Sequence, residues 1–169
     1  NRQLTGLWPS TISDRELALL PAAFPAAARQ QVLLGGAFAP LIDESRRLCT
    51  LRSTVIDPDA RIAEIFLYAQ DVGDTGADRP RRGICADPRR QLAVMPPVDV
   101  ITIAGGAPES IAGNRLFTTE FFALARQRLS PGGVLAFALP VSENYLSPLQ
   151  AQLVNAEVVS LRGAGFTVG

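Results

Sequence analysis

The chain has 169 residues, 47% of them hydrophobic and 19% charged, which suits one globular domain with a sizeable core. Its 16 basic and 16 acidic residues cancel, so it lacks the net field that would hold nucleic acid or an acidic membrane. The basic residues are all arginine and histidine is absent, which excludes lysine chemistry, a histidine general base and the commonest metal ligand.

Residues 1–12 read as the remnant of an N-terminal β segment, because Trp8-Pro9 resists a helix, and residues 13–169 read as the main domain. Ser13 offers an N-cap that Glu16 completes as a capping box, and Pro21 and Pro25 keep the helix short. Residues 31–39 form an apolar strand running into a glycine turn at Gly35-Gly36, and residues 40–48 have a helical pattern. Strand, glycine turn and helix open a nucleotide-binding α/β domain; two glycines equally suit a turn that serves geometry alone.

Residues 51–58 read as the second strand, ending at Asp57. An acid about 20 positions past a glycine turn suits a ribose. Asp57 suits as well the N-cap of a helix over 59–68, with Pro58 at its first turn. Residues 70–82 are a polar loop whose Asp71, Asp74 and Asp78 lack the closing Glu of a calcium site. Residues 83–87 make a third strand with Asp87 at its end, and residues 88–95 a short helix.

Residues 98–103 read as a central apolar strand covered on both faces. The small-residue loop Ala104-Gly105-Gly106-Ala107-Pro108 follows it, at the sheet edge where α/β proteins do chemistry. Residues 110–115 connect to an amphipathic helix over 118–129. Ser130-Pro131-Gly132-Gly133 turns the chain into a strand at 134–139, a helix follows at 146–161, and residues 163–168 would begin a sixth strand. The alternation predicts an α/β, Rossmann-like parallel sheet with helices on both faces. The pattern supplies no closing antiparallel hairpin, so the sheet edge after Val168 is expected to be open unless a partner or further chain covers it.

Cys49 and Cys85 form no C-x-x-C pair and are expected as buried thiols, with a disulfide as the alternative. No apolar run reaches the ~18 residues of a membrane span, and no leader is legible, so the default compartment is cytoplasmic.

The run Asn114-Arg115-Leu116-Phe117-Thr118-Thr119-Glu120-Phe121-Phe122, followed by Leu129-Ser130-Pro131-Gly132-Gly133-Val134-Leu135, resembles the spermidine/spermine synthase family. These are aminopropyltransferases with the S-adenosylmethionine-dependent methyltransferase fold. Ser142-Glu143-Asn144-Tyr145-Leu146 is similar to a bacterial branch often fused to membrane segments.

The resemblance implies a cofactor loop at Gly35 and Gly36, with Ala37 in place of a further glycine. It places Val55 where the family's ribose-holding acid stands, with Asp57 two residues on, and Ala86-Asp87 where a Gly-Asp pair lies near the adenine. The family's Asp-x-x-Asp-Pro loop reads Ala104 and Ala107 here, with Pro108 kept, and Phe117 replaces a tyrosine. In the family the first acid takes part in deprotonating the attacking amine and the second helps bind it. Alanine does neither, and losing one such group costs a factor of ~10² to 10⁴ in rate.

The expectation is therefore no catalytic and no metal-binding residue, with Gly35, Gly36, Asp57 and Asp87 as vestigial cofactor contacts. No resident cofactor is expected beyond residual binding of S-adenosylmethionine or its decarboxylated form. Phe38 and Phe117 are expected to fill the emptied space. The role implied is a structural or accessory subunit among other protein subunits, a membrane-associated partner included, or in a homo-oligomer. The alternatives are an active aminopropyltransferase with displaced acids, a methyltransferase, and a nucleoside-binding sensor without turnover.

Overall fold

Runs of β-branched and leucine side chains, buried on both sides, place a parallel sheet at the centre of the molecule. The computed structural model describes residues 17, 21, 28–35, 52–62, 82–104, 111–139, 141 and 146–168. The strands are β1 (Gln30–Leu34), β2 (Arg52–Asp57), β3 (Arg82–Cys85), β4 (Val98–Ile103) and β5 (Leu129–Phe137). They lie in the order β3-β2-β1-β4-β5, and every neighbouring pair is parallel. The helices are α1 (Pro88–Val94), α2 (Ile111–Asn114), α3 (Thr119–Arg128) and α4 (Pro148–Gly163). This is the α/β architecture the alternation predicts.

The register divides each strand between two faces. Leu34 pairs with Ile56 and Ile103, and Val32 with Ile101, so these five apolar residues share the first face. Leu92 of α1 and Phe121, Phe122 and Ala125 of α3 pack in the same cluster. On the second face Leu33, Val55 and Val100 have no exposed surface either. Phe137 joins the first face at the end of β5, stacked on Phe122 at 5.9 Å and edge-on to Phe117 at 5.1 Å.

Local signals set most boundaries. Thr118 accepts a hydrogen bond from the Phe121 amide at 3.2 Å and starts α3 one residue later than the apolar pattern indicates. Ser147 and Gln150 form a reciprocal capping box, which moves the start of α4 from the expected 146 to Pro148. The expected turn at 130–133 is instead part of β5, which stays paired with β4 through a bulge between the Val98–Leu129 and Val100–Val134 pairs. Residues 163–168 do not begin a sixth strand: α4 runs to Gly163 and residues 166–168 are irregular.

Cys85 is free and exposed, not buried. It ends the outermost strand, β3, so only one flank is covered by a neighbour. The expectations for residues 1–12, Ser13, Gly36, Ala37, Phe38, residues 40–48, Cys49, residues 63–68, residues 70–81, Ala107, Pro108 and residues 142–145 lie outside the described residues.

Candidate functional site

The strand order reverses between β1 and β4, and the carboxyl edge at such a switch point is where α/β sheets bind ligands. Four sequence-predicted positions meet at this edge. Gly35 follows β1 with φ 75°, a left-handed conformation that a side chain would strain. Its amide donates to the Ile56 carbonyl at 3.0 Å, beside Asp57. The Ala86 amide donates to the Asp57 carbonyl at 3.1 Å, which brings Asp87 alongside. The Ala104 amide donates to the Leu34 carbonyl at 2.9 Å. Gly36, the fifth candidate, lies outside the described residues.

The two acids at this edge have structural work. Asp57 has no exposed surface, and its Oδ1 accepts from the Asp59 amide at 2.7 Å, closing the turn into the helical residues 60–62. The sequence leaves Asp57 open to a ribose contact or to a helix N-cap; the structure displays this turn to the amide two residues on. Asp87 caps α1, accepting from the Arg90 amide at 3.0 Å, and pairs with the Arg115 guanidinium at 3.1 Å. Partial burial works against ionisation of Asp87, but the Arg90 amide, the Arg115 charge and the Arg89 amide outweigh it and hold its carboxyl below the usual range.

Arg115 is the site neighbour that sequence reasoning missed. It lies inside the family-like run, but its partner is 28 positions earlier, and no local spacing signals the pairing. Arg89 adds a second tie, donating to the Arg115 carbonyl at 3.4 Å. Ala104 is 3% exposed and contributes only a methyl group. Phe117 is buried as expected, but its ring contacts place it in the first-face core against Phe137. An open groove lined by Arg126, Ser130, Gly132 and Phe166 lies at the opposite, amino edge and has no part in this site.

Among solved structures, a spermidine synthase crystallised with a transition-state analogue superposes with a TM-score of 0.69. It is 19% identical, over 90% of this chain and 52% of that one. A cyclopropane synthase from Mycobacterium tuberculosis gives a TM-score of 0.68 at 18% identity, over 99% of this chain and 64% of that one. A spermidine synthase from Thermotoga maritima gives 0.65 at 15% identity, over 90% and 50%. The fold is the one these synthases share. The chain spans about half the length of the two spermidine synthases. No family model and no curated protein matches it.

Gly35, Asp57, Asp87 and Ala104 stand at the carboxyl edge of this sheet. Among the described residues no helix is long and apolar enough to cross a membrane.

Proposed function

We propose that this chain is a catalytically degenerate spermidine synthase-like domain that acts as a structural or accessory subunit of a larger assembly. The observation that carries the proposal is Ala104, a buried methyl group at the switch point where an amine-handling acid would have to stand. Amine attack on a sulfonium-activated carbon needs a nearby group to hold the cation and receive its proton. The described acids at this edge are engaged otherwise: Asp57 in its turn, Asp87 with Arg90 and Arg115. An accessory role also fits the outer side of α4, where Leu149 and Val159 are 76% and 61% exposed.

Incubation of the pure chain with decarboxylated S-adenosylmethionine and putrescine tests the proposal. The expected outcome is no aminopropyl product at any enzyme concentration; product that scales with the chain would overturn it. Light scattering and affinity purification test the accessory role, for which a stable, partnerless monomer is the contrary result.

A second reading is a nucleoside-binding domain, with or without methyl transfer, and the left-handed Gly35 turn on the same sheet edge as Asp87 favours it. Methyl transfer relies more on positioning than on an acid, so a bare loop suits it better. Calorimetry with S-adenosylmethionine and methylthioadenosine separates the readings: saturable heat supports binding, and its absence at millimolar ligand ends it.

A further inference from the structure

Glu157 is a buried acid that neither the sheet edge nor the core employs. It is 6% exposed, and its Oε2 has no hydrogen-bond partner among the described residues. It stands one helical turn before Leu161, which packs on the core with Ala164 and Phe166, so Glu157 lies on the inner side of α4. The charged groups of the described elements around it are committed elsewhere or exposed. On α3, against which α4 packs, Glu120 bonds with Thr118, Arg126 lies 5.7 Å from the centre of the Phe166 ring, and Arg128 donates to the Ala93 carbonyl. β5 carries no charged residue, and Arg162, the other charged residue of α4, is exposed.

We propose that the seating of α4 against α3 is coupled to protonation of Glu157, which makes this helix a pH-sensitive element of the domain. The neutral acid fits the buried position. The carboxylate must draw in water or swing outward, and either loosens the middle of α4. Burial, with no compensating charge among the described residues, holds the Glu157 carboxyl above the ordinary glutamate value of 4.5. A raised folded value means that the proton favours the docked helix. That contribution is complete below the unfolded value and is lost as pH rises through the folded one. Because Leu161, Ala164 and Phe166 belong to the same C-terminal stretch, loosening at Glu157 weakens their hold on the core.

The test combines a carbon-13 titration of the Glu157 side-chain carboxyl with hydrogen exchange of the whole chain between mildly acid and mildly alkaline pH, corrected for intrinsic rates. The expected midpoint lies above 4.5. Amide protection of α4 should fall about three-fold or more relative to α3 as pH rises. Glu157→Gln should abolish that fall and keep α4 protected at the alkaline end. A midpoint at or below the ordinary glutamate value, or the same loss of protection in Glu157→Gln, would overturn the proposal. Should that variant fail to fold, the wild-type midpoint decides by itself.

Discussion

Asp99 is the acid that the apolar pattern of β4 conceals. Its Oδ2 accepts from the Arg29 and Gln30 amides at 2.8 and 3.0 Å, and the Ser130 hydroxyl also bonds to it. One carboxylate thus ties the amino ends of β1, β4 and β5. Partial burial works against its ionisation, but these three donors and the Arg29 charge outweigh it and hold its carboxyl low. A lowered folded value means stability that is present above the unfolded carboxylate range and lost as pH falls through the folded value. Asp99→Ala should cost about 1–2 kcal/mol in urea denaturation near neutrality, and less as pH falls below the ordinary carboxylate range.

Ala104 supports a second test at the same scale. The structure buries this position, so Ala104→Asp forces a carboxylate into a space that offers it no water. The expected cost is about 3 kcal/mol or more. A thermal scan showing almost no loss would mean that the space beside Ala104 is still open to a ligand. The residues of this edge were legible in the sequence because each stands at or just past the end of a strand. Their partners were not: the ion pair of Asp87 with Arg115 and the Asp99 tie both join residues far apart in the chain.

Among the elements, β4 has the bounds that its apolar run indicates, because a strand covered on both faces announces itself in unbroken hydrophobicity. β5 does not, because Pro131-Gly132-Gly133 reads locally as a turn while cross-strand pairing keeps it in the sheet. Gly133 shows what the bulge requires. A Cβ there would lie 2.9 Å from the Ser130 carbonyl oxygen and 3.0 Å from that of Asp99, both backbone atoms that cannot turn aside. Gly133→Ala should therefore destabilise by about 1–3 kcal/mol, read as a lower urea midpoint with an unchanged slope. Thr118 and Ser147 are the opposite case. Their caps are written into a few adjacent residues, yet each moves the helix start by one or two positions from where the apolar pattern puts it.

At the scale of the whole molecule the two faces of the sheet differ in chemistry. The first is apolar throughout its cluster, whereas the buried polar strand residues Gln31, Ser53, Asp57 and Thr102 all fall on the second. Alternation in the sequence marks which residues share a face, but which partners meet across strands depends on register, and that is a property of the assembled sheet. Gln31 and Thr102 meet at the junction of β1 and β4, where the two halves of the sheet join, 71 residues apart in the chain. The Gln31 Nε2 donates to the Thr102 hydroxyl at 3.3 Å, while the Gln31 Oε1 finds no donor among the described residues. Removing one member leaves the other buried and unsatisfied; removing both leaves nothing to satisfy. Thr102→Val should then cost about 1–3 kcal/mol. The double variant Gln31→Met, Thr102→Val should return close to wild type, a coupling of about 1 kcal/mol or more in a double-mutant cycle. Strictly additive losses would show that this bond does not join the two halves.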